Sequence, residues 1–446
     1  ANSYDPSTGR ATAQTPAPGS APTVAVDSTA LGGMYAGRIT LTSTEKGVGV
    51  NLQGLVQSQQ DLSITADGNL TVKNAKSGAN LTLNAGQGTV TVGNMAVAEG
   101  NMQVRGKAVS GDKATLAASK SLSIKTDDSV TLTNESLVSA KETASMESKN
   151  VSLSGKSTLQ GNNVTLNADL ASLAESSILA GNDISLTAGS LIGTGSSIRA
   201  NRNVAVNAGS LSLSGSPVAS MDNLDLPSLP GSLYAGSTLA VTGNFFAFNG
   251  GFYGAGSTLD IKGQSVEAKN KAMLYAWDQV ALEAVDIRLT DATVKSSAAA
   301  SVSGGNLSLE GGSITASGLL GLQMTGDVSL DGSGGLFGYS GLSAVARNLT
   351  NRGIIFSGWD LGLYIEDTLT NTGGADILAR GNKLFAGTDG QTRMAKLNNE
   401  ASTIESLGGD IVIRADLLRN TGGGASVTRV VTSDSTVVTG GFEPPH

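Results

Sequence analysis

The side chains of this chain that could make or break a covalent bond are few. The nearest acidic pairs are Asp127/Asp128, Asp222/Asp225 and Glu366/Asp367. Cleavage of a glycosidic bond needs two carboxyl groups roughly 5–10 Å apart. Neighbouring residues on a strand point to opposite faces, so 127/128 and 366/367 make poor dyads if they lie on strands. They read instead as solvated turn acids. The single histidine, His446, stands in the terminal tail, which argues against a Ser-His-Asp triad. Cysteine is absent, so there is no thiol nucleophile, zinc–thiolate site or disulfide. Gly193-Thr194-Gly195 and Gly254-Ala255-Gly256 are not followed by helix signals, so they do not read as phosphate loops. The calcium-binding nonapeptide repeat is missing too. These residues predict a protein that is not an enzyme and has no cofactor and no metal site. A polysaccharide lyase or hydrolase would need an exposed acidic cleft.

Binding is the chemistry the aromatic residues could supply. Of seventeen aromatics, fourteen lie between Tyr234 and Phe385. Tyr234, Tyr253 and Tyr275 fall five or six residues before apolar pairs at 239, 259 and 280. Tyr275-Ala276-Trp277-Asp278 is echoed by Phe356-Ser357-Gly358-Trp359-Asp360, and the densest patch is Phe245 to Tyr253. Tyr, Trp and Phe anchor interfaces and stack on sugars. The candidate contact residues are therefore Tyr234, Phe248, Phe252, Tyr253, Tyr275, Trp277, Phe337, Tyr339, Trp359 and Tyr364. The competing reading is an internal stack of rings, one per coil, filling a wider core.

The elements that would carry these rings repeat every twenty residues. One signature runs Leu62/Ile64, Leu81/Leu83, Met102/Val104, Leu122/Ile124, Val164/Leu166, Ile184/Leu186, Val204/Val206, with Ala144/Met146 as a weak rung. A second runs Leu70/Val72, Val90/Val92, Val130/Leu132, Val151/Leu153, Leu170, Leu191, Leu211/Leu213. Apolar residues alternate with Ser, Thr, Gln or Ala, so these are strands with one buried face. A fixed period of this length predicts stacked coils. Parallel strands joined by crossovers are nearly always right-handed. The fold class is thus all-β, a right-handed parallel β-helix of about 20 residues per coil. Asn163, Asp183 and Asn203 hold one rung and predict a ladder of polar side chains at the turns. The Asn-x-Ser/Thr sites at Asn69, Asn80, Asn150, Asn163, Asn306 and Asn348 read as the same device.

Proline marks the boundaries, because it cannot donate to a ladder. Four of nine lie before residue 23, three at Pro217, Pro227 and Pro230, and two at the end. The predicted organisation is a 1–26 linker or remnant, a 27–215 regular shaft, a 216–232 break, a 233–420 aromatic-rich region and a 421–446 tail. In that second region Leu239/Val241, Leu259/Ile261 and Val280/Leu282 keep the period. A closing pattern follows in Leu349-Thr350-Asn351, Leu369-Thr370-Asn371, Leu397-Asn398-Asn399 and Leu418-Arg419-Asn420. The charges, net −8 over 446 residues, are scattered without a basic stripe, so nucleic acid is not an expected partner. No apolar run approaches a membrane span. The start carries neither an initiator Met nor a signal peptide and reads as a processed or excised end. A cysteine-free chain of this length fits export.

The stretch Val26-Asp27-Ser28-Thr29-Ala30-Leu31-Gly32-Gly33-Met34-Tyr35-Ala36-Gly37-Arg38-Ile39, with Gly47-Val48-Gly49-Val50, resembles the segment after the secretion domain of two-partner-secreted, filamentous-haemagglutinin-like exoproteins. The repeats from about 52 to 215 resemble that family's haemagglutinin repeats. Leu397 to Ser406, with Gly409-Asp410-Ile411, is similar to the end of the receptor-binding region in CdiA-type contact-dependent growth inhibition proteins. The resemblance implies a secreted filament on a Gram-negative cell surface. It would be exported by an outer-membrane transporter, with a short shaft that holds the second half against a neighbouring bacterium. The implied partner is an outer-membrane protein or lipopolysaccharide, and the chain is expected to be a monomer. A host-directed adhesin of the same fold is the alternative.

Overall fold

The computed structural model describes residues 2–5, 10–13, 23–29, 31–218 and 231–422. Two compact units are distinguished, Ala1–Lys149 and Asn150–His446. Every regular element among the described residues is a strand.

In the first unit, Asn2–Asp5 pairs antiparallel with Arg10–Ala13. Later strands pair in parallel with the strand one coil away. Leu62, Leu81, Met102 and Leu122 form one column and Ile64, Leu83, Val104 and Ile124 another, all buried. The second signature is more complete than the sequence suggested. Val50, Leu70, Val90, Val109 and Val130 form an unbroken column, with Val109 filling the missing rung. A third face, unforeseen from sequence, is built from short strands such as Thr115–Ala118 and Leu137–Ala140, which bury Leu116 and Val138.

The second unit repeats this plan. Each coil joins a short strand to a long one that bends midway. Val164–Ala168 pairs with Ile184–Ala188, pairing stops at Asp169, and Leu170–Ala174 pairs with Ser190–Thr194. The bend reverses the phase of alternation. Ala171 and Leu173 face inward while Leu170 is exposed, so the expected place of Leu170 in the buried stack is corrected to Ala171. At this corner the coils come very close. Gly243 and Gly304 have positive φ, and a Cβ on either would overlap the carbonyl oxygen of Ala208 or Ala284 one coil below.

The other turn places Glu175, Gly195, Asp291 and Gly311 in left-handed backbone. Each is followed by a small residue, namely Ser176, Ser196, Ala292 and Gly312. Ser176 is buried, and its hydroxyl donates to the Ala174 carbonyl at 2.9 Å. The polar ladder also forms: Asn203 Nδ2 donates to Asp183 Oδ1 at 2.8 Å. Asn306 and Asn348 likewise donate to Asp286 and Asp327, at 2.9 and 2.8 Å.

Val204 stacks directly on Leu239, 35 residues later rather than 20. The stack therefore continues across the break in period. Pro217 lies at the start of that break, whereas Pro227, Pro230, Asp222 and Asp225 lie outside the described residues, as do the tail prolines and His446.

Candidate receptor-contact surface

Register decides which rings can be reached. The short strands place Arg199, Tyr234, Gly254, Tyr275 and Lys295 in one outward column. Tyr253 is one residue out of step with Tyr234 and Tyr275. It stacks inward between Leu233 and Leu274 and is fully buried. Its hydroxyl donates to the Leu213 carbonyl at 3.2 Å, and burial pushes its ionisation well above that of an ordinary phenol. Phe248 packs against it, ring centroids 4.6 Å apart, in a column between Leu213 and Ala268. Tyr253 and Phe248 therefore fill the core, and their expected role as contact residues is corrected on that ground.

Phe252 faces the other way but is also buried. Val218, Met273 and Tyr275 surround it, with Tyr234 beside them. The rings of Tyr234 and Phe252 are 6.3 Å apart, and those of Phe252 and Tyr275 6.2 Å. Val218, at the start of the break, thus covers a small outer apolar cluster, and Phe252 is withdrawn from solvent. Arg199 lies 5.7 Å from the centre of the Tyr234 ring. Tyr275 is buried as well, its hydroxyl 2.9 Å from that of Ser297, and its expected role as a contact residue is corrected on the same ground.

The remaining candidates are accessible. Trp277, Tyr339 and Trp359 are 62%, 54% and 57% exposed. Phe337 and Tyr364 are half-buried. Gly338, Ser357, Ala379 and Ser406 pair in one column at the end of successive short strands. The residues just beyond them line one edge: Tyr339, Gly358, Arg380 and Leu407, with Trp359 one residue further along the chain than Gly358. Leu319 lies beside this edge, because it pairs with Gly341. Leu319 and Leu407 are as exposed as the tryptophans, and sequence reasoning missed both. On the adjoining face Phe337 pairs with Phe356, and Phe356 with Leu378. Tyr339 meets Phe356 edge-on at 5.5 Å. The edge crosses five successive coils, about 19 Å at roughly 4.8 Å per strand spacing, and the exposed Arg380 interrupts its apolar run before Leu407.

The acidic pairs Asp127/Asp128 and Glu366/Asp367 sit at coil corners, where both members of each pair face solvent instead of opposite sides. Asp222/Asp225 lie outside the described residues. Among the described residues no group of three or more His, Asp or Glu is placed to hold a metal ion.

Comparison with known proteins finds no matching family model and no matching solved structure. Curated relatives do match. The chain is 36% identical over 149 residues to "tRNA nuclease CdiA" of Yersinia mollaretii, covering 33% of this chain and 5% of that protein. It is 39% identical over 125 residues to "16S rRNA endonuclease CdiA" of Enterobacter cloacae, covering 28% and 4%. It is 54% identical over 65 residues to "Toxin CdiA" of Escherichia coli, covering 15% and 2%. The matched stretches thus span 2–5% of the length of these relatives. Their names overturn the expectation of a protein without enzymatic activity: nucleases occur among its relatives, and the absence of catalysis is withdrawn.

Proposed function

This chain is related to the CdiA-type two-partner-secretion exoproteins, and on that premise we propose that it forms part of a cell-surface filament touching a neighbouring bacterium. The protein is exported across the outer membrane of a Gram-negative cell by its transporter. Residues 27–215 serve as spacer and 233–420 as the receptor-binding region, with the 216–232 break between them. The receptor is an outer-membrane protein or lipopolysaccharide of the target cell. Since relatives are named nucleases and toxin, we assign to the whole protein the delivery of such a toxin on contact.

The observation that carries this reading is the run of Leu319, Tyr339 and Trp359 on successive coils, with Leu407 beyond Arg380. Single exposed apolar residues are ordinary, but contiguous ones rimmed by polar groups mark interaction sites. Aromatic anchors supply most of the energy at such sites. The test is retention of the purified chain on outer membranes from a panel of bacteria. Retention that falls about tenfold or more in Tyr339→Ala and Trp359→Ala is the expected result. Equal retention of wild type and both variants removes that run as the site. Binding to animal cells, with none to bacteria, replaces the reading by a host-directed adhesin.

A further inference from the structure

We propose that Gly335 and Gly362 are positioning residues of the contact surface, holding the rings of Phe337 and Tyr364 flat against the sheet. The inference rests on the receptor-contact reading above.

Outward side chains of a strand ordinarily stand away from the sheet. These rings lie down along their own strands. Gly335 and Phe337 are two residues apart and share a side, and a Cβ on Gly335 would overlap ring atoms Cε2 and Cζ of Phe337. At Gly362 the three nearest atoms to such a Cβ all belong to Tyr364: Cε2 at 2.6 Å, Cζ at 3.1 Å and Oη at 3.1 Å. The next coil repeats the device in mirror order. Phe385 lies over Gly387, with Cζ 2.8 Å from the same construction. Gly362 pairs with Phe385 and Tyr364 with Gly387. Two rings therefore occupy one diagonal of a square and two glycines the other, with ring centroids 5.3 Å apart.

A glycine on an outer sheet face leaves the backbone uncovered, and an aromatic ring laid across it restores the cover. A ring fixed in this way also has less rotamer freedom to lose on binding. One outward column provides an internal control. Gly321 pairs with Ser343, and Ser343 with Gly362. A Cβ at Gly321 would meet nothing within 4 Å, and Ser343 already carries a side chain. The column itself accepts a Cβ, and only the glycine beneath a ring does not. Neither Gly335 nor Gly362 has a positive φ, so alanine there displaces the ring without straining the backbone.

The experiment uses the full chain with Gly335→Ala, Gly362→Ala, the control Gly321→Ala, and the ring deletions Phe337→Ala and Tyr364→Ala. Aromatic-selective NMR without any partner reads contacts between the Phe337 ring and Gly335 Hα, and between the Tyr364 ring and Gly362 Hα. Retention on target outer membranes is read in parallel. Both contacts are expected in the wild type. G335A should shift the Phe337 resonances, with those of its neighbour Phe356, and leave Tyr364 unchanged; G362A should shift those of Tyr364 and its neighbour Phe385 and leave Phe337 unchanged. Each should lower retention about tenfold, the scale of driving a ring off its rotamer, with G321A unchanged. Missing ring–glycine contacts in the wild type overturn the proposal. So does unchanged retention in G335A and G362A while F337A and Y364A lose it, a result that leaves the receptor-contact reading standing. Ring contacts present in a wild type that no membrane retains overturn the contact role and keep the glycine seat.

Discussion

The coils from Val164 to Ser214 and those from Gly335 to Leu407 share a core and differ in everything outside it. Inward, Val164 and Ile184 share a column with Leu342 and Leu361, Leu166 and Leu186 share one with Ala344 and Leu363, and Ile178 and Ile198 share one with Leu336 and Ile355, all buried. Outward, the first set shows Thr165, Asn167, Ser185 and Asn207, while the second shows Phe337, Tyr339, Phe356 and Trp359. Stability resides in what each coil shares with the next, so the outer face is free to change without loss of the stack. One interior column also changes character. Leu289, Leu309 and Leu330 give way to Asn351, Asn371, Asn399 and Asn420 on the same rungs. The first two asparagines are fully buried. Each Nδ2 donates to the next Oδ1, at 2.8, 2.8 and 2.9 Å. Asn351 and Asn371 also donate to the carbonyls of Asp376 and Thr403, which begin the short strands of the next coil. The amide chain thus fixes those turns where the aliphatic column only fills space.

The comparison is broken most strongly by crossing the two columns. Leu309→Asn puts an amide without partners into the aliphatic stretch and should cost about 4 kcal/mol or more in chemical denaturation. Asn371→Leu in the amide stretch strands the Asn351 donor and the Thr403 carbonyl, at about 1–3 kcal/mol for each unpaired group. Replacing all four asparagines by Leu should recover only the part of that loss that comes from stranded side-chain amides, because the Asp376, Ser402 and Thr403 carbonyls and the Gly353 N–H still lose their side-chain partners. A quadruple variant less stable than Asn371→Leu alone would show that the amides, and not merely their satisfaction, hold the turns. Tyr253→Phe deletes only the hydrogen bond to Leu213 and should cost about 1 kcal/mol. Trp359→Ala should change stability by no more than about 0.5 kcal/mol, which separates its binding role from folding.

The smallest effect is acidic. Backbone hydrogen bonds from Thr392 and Gln391 hold the Asp389 carboxyl below its usual 3.8. A depressed folded value means that the contribution is present above pH 3.8 and is lost as pH falls through the lower folded value. Amide exchange of Gln391 and Thr392 should therefore rise only below that pH, and a rise near neutrality would contradict it.

Much of the fold was legible because two long faces per coil carry paired apolar residues at a constant offset. The third face was not, although every coil announces it: Leu116-Ala117-Ala118, Ile178-Leu179-Ala180, Ile198-Arg199-Ala200 and Leu274-Tyr275-Ala276 share an apolar–any–small pattern. One large and one small buried side chain per strand make too short a run to show alternation. The candidate surface was legible only as a region. Tyr253 differs from Tyr234 and Tyr275 by a single residue of register, and a slip of one exchanges the core for the outer face, where Tyr234 is half-buried and Tyr275 is covered by its neighbours.

The sequence by itself determined that strands stack at a twenty-residue repeat and that aromatics concentrate between 234 and 385, since both are properties of order along the chain. Only the tertiary structure decided which rings face out and that Leu319 and Leu407 join Tyr339 and Trp359. It also decided that the closing asparagines form an amide chain, buried at Asn351, Asn371 and Asn399. Each of those depends on where a coil bends, and a bend reverses the phase of every residue after it.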